Sequence, residues 1–194
     1  MINRIIGVLT LNVNVIEEIE HDENATMEAA MIVAAVAIVG AIGAFLGAQF
    51  GGAGLEEFSQ QFGGDVPIDI PIPSPIGAAV STFIGTFVTW VLWSALTYLI
   101  GTNMFNGQAT MGEMLRVIGY AQAPRILGLF AFIPCLGALL GLVGGIWSLV
   151  AGFVAIRQGL DLDNTNTAIT VVISFIIAIV VQLCVLTPIF AFMM

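Results

Sequence analysis

Long apolar runs separated by short polar segments divide this chain, and their lengths predict helices that cross a membrane. Between Arg125 and Arg157 lie 31 consecutive uncharged residues. Because a spanning helix needs about 20 apolar residues, this run is too long for one upright span. It predicts a tight hairpin that turns at Pro134–Gly137 and places both arginines on one side, as the positive-inside tendency favours. A four-span alternative treats the run as one long tilted helix and places the two arginines on opposite faces.

The other apolar runs predict three more spans. Ala29–Leu55 contains 27 uncharged residues, and Gly51–Pro75 is rich in glycine and proline, which predicts a loop. The predicted spans are 27–50, 76–100, 118–134, 138–157 and 167–192. The pattern therefore predicts an all-α fold, a polytopic integral membrane bundle of about five transmembrane helices that occupies 1–194 as one domain.

The N-terminal segment, residues 1–25, has the pattern of an interfacial helix. Ile5, Leu9, Val13 and Ile16 recur at helical spacing, which predicts a short helix lying on the membrane surface with its apolar face towards lipid. Acidic residues rather than a small-residue cleavage site follow it, so we expect this segment to be retained.

Composition and charge narrow the class of protein and its partners. Hydrophobic residues make up 59% of the chain and charged residues 9%, which indicates a bilayer as its environment. The net charge is −9, so nucleic acid is a poor partner. All four basic residues are arginines, and we expect them on the cytoplasmic side, with the N-terminus cytoplasmic and the C-terminus outside. They are Arg4, Arg116, Arg125 and Arg157.

Small residues at four-residue spacing predict where helices pack closely. In lipid, glycine allows backbones to approach, either within one chain or between copies or subunits. The predicted helix-packing glycines are Gly43, Gly47, Gly77, Gly85, Gly141 and Gly145.

Residues that carry chemistry are scarce. No charged residue lies at the centre of a predicted span, which disfavours an ion-coupled transporter. Cys135 and Cys184 lie in apolar surroundings and His21 in an acidic run, so neither predicts a metal site. Catalytic constellations and phosphate-binding glycine loops are absent from the sequence. We therefore predict no enzyme activity and no cofactor.

Three short motifs resemble the Yip1 family of membrane proteins. They are Gly-Tyr-Ala-Gln-Ala-Pro at 119–124, Ile-Pro-Cys-Leu-Gly at 133–137 and Ile-Trp-Ser-Leu at 146–149. The resemblance implies five spans with a cytoplasmic N-terminus. It also implies that the motif residues are candidate contact positions, namely Gly119, Tyr120, Ala121, Pro124, Arg125, Pro134, Gly137 and Trp147.

The resemblance also bears on function. Eukaryotic members of that family are associated with vesicle trafficking and small lipidated GTPases, whereas prokaryotic members mostly have no assigned activity. This chain lacks the long N-terminal region of the trafficking members, and it has Thr165 and Thr167 where a lysine is often found. These departures favour a short prokaryotic form in the cell membrane.

Three hypotheses about function follow. The first is a non-enzymatic scaffold or accessory subunit that packs against other membrane-protein subunits or against itself, with Gly112–Arg125 as its cytoplasmic contact. The second is a small facilitator or channel for a neutral solute, with its pore at Pro124–Gly137. The third is a membrane-trafficking or membrane-shaping factor that uses residues 1–20.

Overall fold

The computed structural model describes residues 1–62, 74–133, 136–182 and 184, and its regular elements there are all helical. Within these ranges, seven α-helices and one 3-10 segment follow each other. They are α1 (Ile2–Leu9), α2 (Val13–His21), α3 (Ala25–Phe62), α4 (Pro75–Phe105), α5 (Met111–Ala121), the 3-10 segment η1 (Ala123–Phe132), α6 (Leu136–Gly159) and α7 (Asn164–Val181).

Four of the described helices are long and apolar enough to cross a membrane. They are Ala25–Gln49 within α3, and the whole of α4, α6 and α7. Large apolar side chains on their outer faces are exposed, as expected for helices surrounded by lipid. The prediction of an all-α polytopic membrane bundle is confirmed.

Local capping residues set the helix boundaries at the end of the bundle that holds the connections 106–110 and 160–163, which we call the polar end. α4 ends at Asn106, which adopts the left-handed conformation with φ 54°. Thr110 and Glu113 form a capping box that starts α5. Asp163 accepts a hydrogen bond from the Thr165 amide and starts α7.

The loop predicted for Gly51–Pro75 is wrong over its first half, because α3 continues to Phe62. The first proline of this segment is Pro67, so every amide up to Phe62 can keep its helical hydrogen bond despite the glycines. Residues 63–73 lie outside the described part of the chain. Ser74 then caps α4 by accepting from the Gly77 amide at 3.0 Å.

The span predicted for 118–134 is not one continuous α-helix. Its first residues are the end of α5, and η1 follows after Gln122. Pro124 explains the break, because it has no amide hydrogen and its ring blocks the carbonyl four residues earlier. α5 and η1 together run antiparallel to α6, with Val117 beside Gly159 and Pro124 beside Gly144. The other boundary of that prediction, Pro134, lies outside the described residues.

The N-terminal segment also differs from the single surface helix that its periodicity predicts. It forms a pair of short helices, α1 and α2, separated by a turn in which Leu11 has φ 57°. Asn12 caps α2 by accepting from the Asn14 amide at 3.1 Å. Val8, Ile16 and Ile19 are buried in the core, so this part of the apolar face packs on the bundle, while Ile2 and Ile6 stay exposed.

Close packing occurs at other glycines than those predicted. A Cβ added to Gly144 would lie 2.7 Å from the Pro124 carbonyl oxygen, and one added to Gly119 would lie 2.8 Å from the Ala29 Cβ. At four of the predicted glycines, a Cβ would meet no atom of the described residues within 4 Å. These are Gly47, Gly85, Gly141 and Gly145. Their expected role in packing within the chain is therefore not observed, and packing between copies stays a prediction.

The two remaining glycines of the predicted set are less open. Gly43 is buried and Gly77 is partly buried. Their role in helix packing stays a prediction.

Gly144 and Gly141 provide a matched test of this packing. Gly144→Ala should destabilise the bundle by roughly 1–3 kcal/mol, because the added methyl group forces the Pro124 backbone to move. Gly141→Ala should leave stability unchanged or slightly raised, since alanine favours helix and the space is open. Thermal unfolding in detergent measures both, and equal losses for the two variants would contradict the packing described here.

Candidate functional site

Five side chains from four helices form a charged cluster that we call the N-terminal clamp: Arg4, Glu18, Asp22, Glu28 and Tyr120. Nη2 of Arg4 donates to the carboxylates of Glu18 and Asp22, at 2.7 Å each. Nη1 of Arg4 lies 3.4 Å from Glu28 Oε2, and the Tyr120 hydroxyl donates to the same carboxylate. The clamp therefore joins α1, α2, the first turn of α3 and the last turn of α5.

Charge pairing within the clamp shifts the ionisation of its members. The hydrogen bonds from Arg4 and from the Asn24 amide hold the pKa of Asp22 below its ordinary value. The hydrogen bonds of Glu18 and Asp22 raise the pKa of Arg4. The shifts of Arg4 and Asp22 both favour the charged forms that pair with each other, which favours the closed geometry of the clamp.

Arg116 ties α2 to α5 by a second route. Its Nε donates to the backbone carbonyl of Glu20 at 2.9 Å, and its Nη1 donates to the Thr26 hydroxyl at 3.3 Å. Glu20 lies in the last turn of α2, where carbonyl groups lack helical partners. Arg116 is buried, so it serves internal attachment instead of the membrane surface.

Glu20 itself is an unusual buried carboxyl in this attachment. Burial raises its pKa to about 7. The charges of Asp161, Glu113 and Glu17 also raise this pKa, whereas the charge of His21 lowers it. Near neutral pH this carboxyl is therefore partly protonated, in contrast to Asp22 of the clamp, whose pKa is lowered.

The first family motif lies inside the bundle. Trp90 Nε1 donates to the Leu115 carbonyl at 3.0 Å, beside Gly119. The Ser148 hydroxyl donates to the Ala121 carbonyl at 2.8 Å. Met114 and the run from Arg116 to Ala121 are buried. Most of Gly112–Arg125, which we predicted to be the cytoplasmic contact, is therefore packed within the chain, and its role as a contact stays a prediction.

The other motif residues are placed separately. Trp147, on α6, donates from Nε1 to the Leu9 carbonyl at 3.1 Å, at the end of α1. Gly137 is buried at the start of α6, and Pro134 lies outside the described residues. The structure thus brings Tyr120 and Trp147 to the contact with the N-terminal helices, whereas Gly119 packs against Ala29 of α3 and Trp90 of α4.

A groove opens where α5 gives way to η1, and we call it the arginine groove. Its volume is about 320 Å³, and residues of α4, α6 and α7 line it together with Arg125, which is exposed in the groove. The lining residues are Thr89, Trp93, Arg125, Gly145, Ser148, Leu149, Phe175, Ala178, Ile179 and Gln182.

We predicted Arg125 and Arg157 on the same side of the membrane, and the structure places them at different levels along α6. Arg125 shares the groove with Gly145 and Leu149, which precede Arg157 on α6 by 12 and 8 residues. At 1.5 Å per residue, the groove lies about 12–18 Å along α6 from Arg157. Arg125 is this deep because α5 already descends alongside α6 before the break. The absence of charge that we predicted for the span centres is therefore wrong at this position.

Arg125 has few partners in the groove. Its Nη1 donates to Gln122 Oε1 at 2.9 Å. Within the described ranges, no ion pair joins it to a carboxylate. Trp93 also lines the groove. Its Nε1 is buried without a hydrogen-bond partner among the described residues.

The sequence contains a signal for this groove that run lengths obscure. Arg125 directly follows Pro124, and a proline inside a spanning segment marks a place where a helix breaks and polar groups gather. Metal chemistry has no such signal, since the described residues hold no group of three or more histidine, cysteine or acidic side chains.

The apolar helices and the helical core define the class of this protein, a polytopic integral membrane protein. The family model of the Yip1 domain matches residues 6–186. The chain belongs to the Yip1 domain family, and the sequence resemblance is thereby confirmed. Comparisons with curated proteins and with solved structures found no match.

Tyr120 and Tyr98 provide a matched test of the N-terminal clamp. Tyr120→Phe should destabilise the protein by roughly 1.5–3 kcal/mol, because it removes a buried donor to a charged carboxylate. Tyr98→Phe should have little effect, since no described atom is hydrogen-bonded to that hydroxyl. Hydrogen exchange of α1 and α2 amides, measured with thermal unfolding, should show faster exchange for Tyr120→Phe alone. Equal protection in the two variants would contradict the clamp.

Proposed function

We propose that this protein is a non-enzymatic membrane scaffold or accessory subunit that presents a fixed acidic platform at one end of its bundle. The platform consists of α1, α2 and the turn to α3. The observation that carries the proposal is the N-terminal clamp, because it holds these helices in one orientation on the membrane bundle. Family membership agrees with this class of function, since Yip1 members are not known enzymes.

The outer face of the platform supports a role in binding. Glu17, Glu18 and Glu23 are exposed there. The connection 160–163 adds the exposed residues Asp161 and Asp163. Acidic side chains held on rigid helices attract basic segments of a partner and set the orientation of the encounter. A partner subunit with a basic segment at the membrane surface is the contact that this platform fits.

The lipid-facing side of α6 supports lateral association. Gly141 and Gly145 leave open space beside them, and exposed Leu142 and Ile146 stand on the same helix. Small residues flanked by large apolar side chains allow another helix to approach closely in a bilayer. A helix of a partner subunit or of a second copy is the neighbour that this surface would accept.

The arginine groove favours a facilitator as the second candidate function. A broken helix and a charged side chain between spanning helices are features of solute pathways. Arg125 would select an anion, which replaces the neutral solute predicted from the sequence. The membrane-shaping hypothesis stays a prediction, and deletion of residues 1–20 does not test it cleanly, because Val8, Ile16 and Ile19 belong to the core.

Charge reversal on the platform tests the scaffold proposal. The native protein isolated in mild detergent should bring a partner at fixed stoichiometry, and Glu17→Lys with Glu23→Lys should reduce that partner at least fivefold. A control with lysines at exposed Asn103 and Gln108 should retain it. The proposal fails if both variants retain the partner equally or if the wild type brings none.

Flux measurements separate the second candidate from the first. Liposomes that contain only this protein should show no selective solute leak if the protein is a scaffold. An anion leak that is saturable and that Arg125→Gln abolishes would replace the scaffold proposal with a facilitator.

A further inference from the structure

Arg125 occupies a costly position for a charged group. The groove lies about 12–18 Å along α6 from the level of Arg157, a distance greater than the length of an arginine side chain. Around its mouth, the exposed lining residues Leu149, Phe175 and Ile179 are apolar. A guanidinium in such surroundings requires compensation by an anion or by many hydrogen bonds.

The described part of the chain supplies little of that compensation. Arg125 has five N–H donors, and its hydrogen bond to Gln122 uses one of them. The lining residues that the structure describes include no aspartate or glutamate, although the chain as a whole is strongly acidic. Trp93 Nε1 is a further buried donor without a partner in this part of the molecule. The groove therefore combines positive charge with donors that await an acceptor.

From this charge complementarity we propose that the arginine groove binds the phosphate of an anionic phospholipid from the surrounding bilayer. A phosphate accepts two parallel hydrogen bonds from a guanidinium in the fork geometry that arginine favours. Trp93 Nε1 adds a donor from α4. The role of Gln122 is to hold the guanidinium in the groove through its contact with Nη1.

The shape of the groove favours a lipid over a soluble phosphate. Its volume of about 320 Å³ accommodates a phosphate and glycerol backbone, and the acyl chains would continue along the exposed apolar faces of α6 and α7. These faces include Leu142 and Ile146 on α6 and Val172 and Ile176 on α7. A soluble anion would gain nothing from such surfaces, whereas a lipid is already in contact with them.

Retention of lipid by the whole protein in detergent tests the proposal. Wild type and variants are incubated with phosphatidylglycerol or with phosphatidylcholine of the same chain length, and bound lipid is counted by native mass spectrometry. Wild type should retain phosphatidylglycerol at least tenfold more strongly than phosphatidylcholine. Arg125→Gln should lose this preference, while Arg157→Gln, which removes a charge outside the groove, should keep it.

A second pair of variants keeps the test valid if Arg125→Gln fails to fold. Gly145→Leu fills the groove from α6, and Gly47→Leu adds the same side chain on α3, outside the lining. Both sites have open space for a side chain, so both variants should fold. Gly145→Leu should lower phosphatidylglycerol retention at least tenfold, and Gly47→Leu should leave it unchanged.

Three outcomes would overturn the proposal. Equal retention by wild type and Gly145→Leu would overturn the proposal. Loss of the preference in Arg157→Gln to the same extent as in Arg125→Gln would also overturn it, because general surface charge would then explain binding. Displacement of the lipid by millimolar inorganic phosphate alone would identify a soluble anion as the occupant and would overturn the lipid assignment.

Discussion

The backbone of Pro124 imposes the constraint on which the rest of this bundle depends. Because proline has no amide hydrogen and blocks the preceding turn, α5 cannot continue through the membrane as a regular helix. The chain instead changes to η1, and Gly144 on α6 accommodates the Pro124 carbonyl at this point. The break leaves the side chains beside it turned towards α4, α6 and α7. The arginine groove is the direct consequence of that change in backbone.

The position of α5 also explains why the N-terminal helices belong to the core. α5 is short and buried at the centre, where it contacts α3, α4 and α6. Its remaining side is covered by α1 and α2, which Arg4 and Arg116 attach through buried or partly buried hydrogen bonds. A segment with the periodicity of a surface anchor is therefore a structural part of the bundle. Its acidic residues are held on the outside as a consequence.

Run length and composition were sufficient to predict the class, the helical fold and the approximate positions of four spanning helices. They did not predict the length of α3. The glycines in 51–62 suggested a loop, but no proline interrupts helical hydrogen bonding before Pro67. The glycine pattern also failed in register, since close approach occurs at Gly144, whereas Gly141 and Gly145 face open space. Such distinctions depend on which neighbour each helix face meets, and periodicity within one helix contains no information about that.

The candidate site was predicted only in part for the same reason. The Gly119–Pro124 motif was identified as a set of candidate contacts, but its apolar residues are compatible with either a surface or a core and do not show which neighbours bury them. The contacts of Arg4 and Tyr120 with Glu28 join residues separated by 24 and 92 positions, and no local pattern predicts such pairs. Arg125 was assigned to the same side as Arg157 by the positive-inside tendency. Its depth was not predicted, because the descent of α5 beside α6 is a tertiary property.

The depth of residue 125 is the most direct test of this account. In a background without Cys135 and Cys184, Arg125→Cys and Arg157→Cys are compared by labelling with a membrane-impermeant maleimide in sealed vesicles of both orientations. Position 157 should react from one side at the rate of an exposed cysteine, and position 125 should be protected from both sides. Equally fast labelling of position 125 would place it at the membrane surface and would contradict the account.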